Sequence, residues 1–335
     1  MIVVLRALGI GDLATAVPAL RGLRAAHPAL PVALAAPAVL APLAELTGAV
    51  DRLLPVDGLA PLPAVAPPPD LAVNLHGKGP QSHRLLRTLR PGRLWAYASP
   101  PAGHDDGPPW HDDEHEVTRW CRLLDWYGVA CDPTDLRLRR PPPDRVAVGV
   151  TVVHPGAASA RRRWPADRFA EVARRLTAAG HRVVVTGSAR ERPLAEVVAA
   201  GAGLPATAVH AGRLELSRFA ALLSHARLVV AADTGAGHLA TAFGVPSVLL
   251  FGPTSPARWG PTIDRHRHRV LQYPHLSAGT EEPGTEEPGT EEPGAGEPGV
   301  GEPGRSGGPH PAMAAICVDE VLAAVDRVTR DAAAA

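Results

Sequence analysis

Residues able to do chemistry gather at five places in this sequence. The fullest is Val229 to Pro256, VVAADTGAGHLATAFGVPSVLLFGPTSP, where Asp233, Thr234, Gly235, His238 and Thr254 stand out among aliphatic neighbours. The second is His154-Pro-Gly156-Ala-Ala-Ser159, with Arg161, Arg162, Arg163 and Trp164 behind it. The third is Gly9-Ile-Gly11-Asp12, and the fourth is His76-Gly-Lys78-Gly followed by Gln81. The fifth is HDDEHEVTR, in which His111, His115 and Arg119 are spaced by four. Glycines at a helix start let backbone N–H groups approach an anion closely, and arginine forks bind phosphate oxygens two at a time. A nucleotide diphosphate is therefore the natural guest of the Asp233 and Arg162 stretches. The His76 to Gln81 stretch has the polarity to hold a hydroxylated or anionic second substrate. The fifth stretch is not a zincin site, because Arg119 stands where the second histidine is required.

These groups need elements to position them, and the pattern around them is that of alternating strands and helices. Apolar runs at 2–8, 31–37, 52–56, 70–75 and 93–97 read as strands of a first unit, and 146–153, 182–186, 206–210, 228–232, 247–251 and 269–272 as strands of a second. Each candidate stretch directly follows one of these strands or opens a helix, so a parallel sheet brings the loops to its carboxyl edge, where open α/β sheets bind ligands. Asp12 is placed to cap the helix that begins after Gly11, and Pro18 is expected to kink it. Gly244 and Pro246 end the helix that starts near Gly235. Pro141-Pro142-Pro143 reads as a linker, giving a first domain over 1–143 and a second over 144–318, with a C-terminal helix and tail over 319–335. Inside the second domain, 279–306 repeats TEEPG-type pentads and has too few apolar side chains to offset its ordering entropy, so a disordered insert is expected.

Composition narrows the classes. Thirty-four basic residues balance thirty-four acidic ones, which argues against a nucleic-acid binder that relies on bulk charge. Cys121, Cys131 and Cys317 are odd in number and lack CxxC spacing, so neither a disulfide framework nor a zinc site is expected and a reducing cytoplasm fits. No run is long and apolar enough for a membrane span, and the start of the chain does not read as a signal peptide. Gly9-x-Gly11-x-x-Ala14 matches the dinucleotide fingerprint, but no acidic residue follows the second strand to hold a ribose.

Taken together, LGIGDLATAVPALRGLRAAHP, HPGAASARRRWPADRFAEVARRL and VVAADTGAGHLATAFGVPSVLLFGPTSP resemble the motifs of glycosyltransferase family 9, the ADP-heptose heptosyltransferase-like enzymes, and HEVTRW resembles the helix lining that family's acceptor cleft. Arg162 stands where the family usually has lysine. The resemblance implies two Rossmann-like domains facing across a cleft (the GT-B type) and an inverting transfer without metal or other cofactor, in cell-envelope glycan biosynthesis. Asp12 would be the general base. His154, Gly156, Ser159, Arg162, Arg163, Asp233, Thr234, Gly235, His238 and Thr254 would bind an ADP-heptose-like donor. Gly11, His76, Lys78, Gln81, His115 and Arg119 would meet a glycan or lipid-linked acceptor. A cytoplasmic enzyme at the inner face of the membrane, in peripheral contact with it, is the expected setting. A nucleotide-sugar epimerase or hydrolase on the same plan and an NAD(P)-dependent oxidoreductase are the alternative readings.

Overall fold

A computed structural model describes residues 1–277 and 308–334, and the pentad repeat lies outside them. The first sheet is built from β1 (Ile2–Leu5), β2 (Val32–Ala36), β3 (Arg52–Pro55), β4 (Leu71–Asn74) and β5 (Arg93–Trp95), all parallel, in the order β3-β2-β1-β4-β5. The second holds β6 (Thr151–His154), β7 (Val183–Val185), β8 (Leu228–Ala232), β9 (Ser247–Leu250) and β10 (His268–Leu271), also parallel, in the order β10-β9-β8-β6-β7. β1, β2, β4, β6, β8 and β9 are buried along their whole length. That is why they read as unbroken aliphatic runs rather than alternating ones.

The helices are α1 (Ile10–Thr15), α2 (Val17–Ala26), α3 (Ala41–Thr47), α4 (Gln81–Arg87), α5 (Glu116–Trp126), α6 (Ala166–Ala178), α7 (Arg192–Gly201), α8 (Leu216–Ser224), α9 (Gly235–Phe243), α10 (Pro256–Trp259), α11 (Pro274–Ser277), α12 (Pro311–Ala315) and α13 (Val318–Ala334). Pro18 interrupts the helix but does not cost the hydrogen bond that an interior proline would: the chain breaks at Ala16, and the proline sits in the first turn of α2, where its missing N–H costs nothing. Gly244 ends α9 in the left-handed region at φ 68°.

Side chains alternate across the sheets. Ile2 and Val4 join a core that also holds α2, α8, α9 and the inner residues of β8, so one apolar interior runs through both units. Val3 and Leu5 point to the opposite face, against Leu54, Val56, Leu86 and Leu89. The far side of the second sheet packs Val230 and Leu250 against α6, α7 and α13. The C-terminal helix therefore builds on the second sheet, beside β9, β10 and α6.

Two expectations are corrected. The 206–210 run is a 3-10 turn at Ala206–Ala208 with a single bridge from Val209 to Val185, too short to make a sixth strand. Cys121 and Cys131 are joined in a disulfide, because α5 ends at Trp126 and the chain turns back so that their Cα atoms lie 5.1 Å apart. Spacing alone gave no hint of that turn.

Candidate active site

In each sheet the strand order reverses beside the first strand, and there neighbouring loops part and leave a crevice. In the first sheet the reversal lies between β1 and β4, which puts the Gly9 to Asp12 turn next to the His76 to Lys78 loop. In the second it lies between β6 and β8, which puts the His154 to Ser159 loop next to Asp233 to Gly235. The two crevices meet: a cavity of about 330 Å³ is lined by Gly9, Ile10, Gly11 and Asp12 from one unit and by His154, Arg162, Glu191, Asp233, Thr234, Gly235 and His238 from the other.

The approach of the two turns explains their glycines. A Cβ on Gly11 would lie 2.6 Å from the His238 ring, and one on Gly235 would lie 2.8 Å from Cβ of Ile10. Gly11 thus makes room for the other unit, which accounts for the dinucleotide-like pattern without a nicotinamide. Gly156 serves a similar end, since any side chain there would overlap the Glu191 carboxylate.

Asp12 is not the cap of α1. Gly9 holds that position, and Asp12, three residues on, reaches back so that Oδ2 accepts the Gly9 N–H at 3.1 Å. Its Oδ1 accepts from Nη2 of Arg6 at 3.2 Å, and the side chain is fixed at the cavity wall with the residue only 7% exposed. Arg6 itself is 1% exposed. It donates to the Leu75 carbonyl at 2.6 Å and to Glu116 Oε2 at 3.3 Å, and it lies over the Trp120 ring. Arg6 and Glu116 were not among the expected site residues, although a lone arginine interrupting the aliphatic run 2–8 is a usable signal.

On the second sheet, Arg162 Nη1 stands 3.8 Å from Asp233 Oδ2, and His238 Nε2 3.9 Å from Asp233 Oδ1. Burial pushes the His238 pKa down against the pull of Asp233 and Asp12, so the ring is neutral and the second contact is not an ion pair. Helix α9 begins after Thr234 without a side-chain cap, and the buried Thr234 hydroxyl has no hydrogen-bond partner among the described residues. His154, its pKa likewise lowered by burial, bonds Thr186 Oγ1 at 2.9 Å.

The remaining expected residues divide. Ser159 starts the 3-10 turn that carries Arg162, and Arg163 braces the same loop by donating to the Ala157 carbonyl. Thr254 is buried without a hydroxyl partner and does not line the cavity. His76 is 3% exposed with both ring nitrogens unpartnered, while Lys78 reaches Asp112 at 3.8 Å on the rim and Gln81 opens α4. His115 caps α5 and its Nε2 meets the Gly260 carbonyl at 3.0 Å, a contact between the two units. Arg119 is corrected: it is 0% exposed, holds Glu116 Oε1 and the carbonyls of His111 and Glu114, and does not reach the cleft. Among the described residues no group of three or more His, Cys, Asp or Glu is placed to hold a metal ion.

Burial leaves a signature in acid. It pushes His76, His83 and His268 each down to about 4 from an ordinary value of 6.5. A histidine with a lowered native pKa contributes stability that is complete above 6.5 and is lost as pH falls toward 4. Each can account for up to about 3 kcal/mol. The urea midpoint should fall steeply between pH 6.5 and 4, and a flat midpoint across that window would contradict the burial of these rings.

Two parallel α/β units facing each other at their carboxyl edges across a shared cavity are the arrangement of the GT-B class. The chain belongs to glycosyltransferase family 9 (heptosyltransferase), whose profile matches residues 113–283. It is similar to lipopolysaccharide heptosyltransferase 1 of Pseudomonas aeruginosa, 44% identical over 102 residues that cover 29% of this chain and 27% of that protein. Over 122 residues it is 32% identical to lipopolysaccharide heptosyltransferase 3 of Escherichia coli, covering 35% of this chain and 36% of that one. These alignments thus span about a third of each relative. The fold matches E. coli ADP-heptose LPS heptosyltransferase II with a TM-score of 0.73 at 20% identity over 99% of both chains.

Proposed function

We infer that the protein is an inverting glycosyltransferase that moves a heptose-like sugar from a nucleotide-diphosphate donor to a hydroxyl of a glycan or glycolipid, with Asp12 as general base and no metal. The observation that carries this is the shared cavity, in which the Asp12 carboxylate faces the Arg162 guanidinium and the start of α9. The acceptor oxygen attacks the anomeric carbon as its proton passes to Asp12, and the bond to the diphosphate breaks on the opposite face. Negative charge then building on the phosphate meets Arg162 and the helix N-terminus. A second cavity of about 320 Å³ shares Ile10, His154, Glu191 and Gly235 with the first and continues to Ser188, Leu214 and Phe219. It suits a nucleoside, with the base against Phe219 and Leu214 and ribose hydroxyls donating to Glu191. The relatives' names, lipopolysaccharide heptosyltransferases, support a lipopolysaccharide-type acceptor, and such an acceptor supports a position at the inner face of the membrane.

Transfer requires nucleotide release to depend on the acceptor. Equal release with and without acceptor would overturn the reading in favour of hydrolysis. Arg162→Ala removes charge-assisted bonds worth about 1.5 to 3 kcal/mol, so calorimetry should show donor affinity lowered by roughly 10- to 150-fold. An unchanged dissociation constant would move the diphosphate elsewhere. Since Arg162 and the α9 N–H groups carry the phosphate charge, activity should persist in excess EDTA. Activity lost in EDTA and restored by Mg²⁺ would refute that part.

A further inference from the structure

The face of the first sheet opposite the shared core is covered by the loop after β3 and by α4. Leu59 to Pro69, LAPLPAVAPPP, is eleven residues without one polar side chain, yet most of it is exposed or half-buried. Surface loops are ordinarily polar, and an exposed apolar patch with a charged rim marks a contact surface. Between this loop and α4 opens a groove of about 580 Å³ lined by Leu59, Leu62, Val65, Leu85, Leu89 and Arg90. Arg90 lines the groove, and Arg84, Arg87, Arg90 and Arg93 recur every third residue, all exposed.

Arg84 and Arg87 donate to the carbonyls of Pro101, Ala102 and Gly103, which orders the guanidinium groups and leaves them cationic. Among the described residues none of the four forms an ion pair. The carboxylates between 52 and 93 are Asp57 and Asp70, and Asp70 is bonded to the Met1 ammonium and also feels the charge of Arg93, so Arg93 is partly compensated. Aliphatic surface beside arginines without a close ion-pair partner is the pattern that fits the headgroup boundary of a negatively charged leaflet.

We propose that this face docks the protein on an anionic lipid surface, the 59–69 loop entering the headgroup boundary while Arg84 to Arg93 meet lipid phosphates. Helix α4 starts directly after the His76 to Lys78 loop beside the cleft, so a membrane held against it leaves the cleft rim open to a lipid-linked acceptor. This deepens the acceptor reading, and its test is independent of turnover. The full chain should sediment with phosphatidylglycerol vesicles and not with phosphatidylcholine vesicles. Arg90→Gln and Arg93→Gln should each weaken that partition about fivefold, since each basic residue near such a surface contributes about 1 kcal/mol. Leu62→Ser with Val65→Ser should weaken it as well, at some cost in melting temperature because both side chains also pack against the core. The arginine variants should keep the melting temperature, and every variant should keep donor affinity. Equal sedimentation with both vesicles, none with either, or variants that sediment like the parent would overturn the proposal. Failure of the glycosyltransferase reading would instead show in turnover, with vesicle binding intact.

Discussion

Asp12→Asn should lower turnover by about 10² to 10⁴ while leaving donor affinity within about twofold of the parent, because that is the range a positioned general base contributes. The geometry makes the substitution a clean one. Asparagine at this third helical position keeps an oxygen for the Gly9 N–H at the place where Oδ2 now accepts it, while its amide NH2, a donor, replaces the oxygen that accepts from Arg6 Nη2, so that one bond is lost. Arg6 retains Glu116 as a counter-charge. The variant should therefore fold with α1 intact, and what it lacks is a group able to take the acceptor's proton. In the proposed arrangement donor contacts come from the other unit, through Arg162, Asp233 and α9, so calorimetry should return nearly the parent's affinity. Transfer within a few-fold of the parent would show that Asp12 is a structural carboxylate and would end its catalytic assignment.

Much of this arrangement was legible in sequence because it is local. Aliphatic runs, each followed by small or polar residues, fix where strands end. The order of α/β units then forces Gly9 to Asp12, His154 to Ser159 and Asp233 to Gly235 onto carboxyl edges. Pro18 and Gly244 act through backbone constraints that depend on neighbours within one turn. What could not be read depends on contacts across long stretches of chain. Arg6 and Glu116 are separated by 110 positions, and their pairing exists only once α5 has packed against α2. Arg119 shares a helix face with His115, which suggested a common destination. Their fates differ because His115 sits at the helix start facing the second unit, whereas Arg119, one turn later, is turned back under the 111–114 loop. The cysteine pair fails for the same reason, since only the return of the chain after α5 brings Cys131 to Cys121.

The Arg6 cluster is where that long-range information bears most on stability, and Arg6→Met should cost about 3 to 5 kcal/mol. Methionine fills much of the volume beside Trp120, so the loss would come from charge and hydrogen bonding more than from a cavity. With the guanidinium gone, two carboxylates of 7% and 6% exposure, Asp12 and Glu116, remain in one buried space without their shared cation, and the Leu75 carbonyl loses its donor. Glu116 keeps Trp120 Nε1 at 3.0 Å and Arg119, so the greater disturbance falls on Asp12. Turnover should accordingly fall along with stability, while Arg162 and the donor site keep their affinity. Arg6→Lys preserves the charge as a single point donor and cannot reach Asp12, Leu75 and Glu116 together, so it should recover part of the stability and less of the turnover. A double-mutant cycle with Glu116→Gln should show non-additivity of about 0.5 to 3 kcal/mol, as expected for residues joined in one network. Denaturant unfolding of Arg6→Met within about 1 kcal/mol of the parent, well inside the loss expected for a broken buried pair, would mean that water reaches these carboxylates and that Arg6 does not hold the base in place.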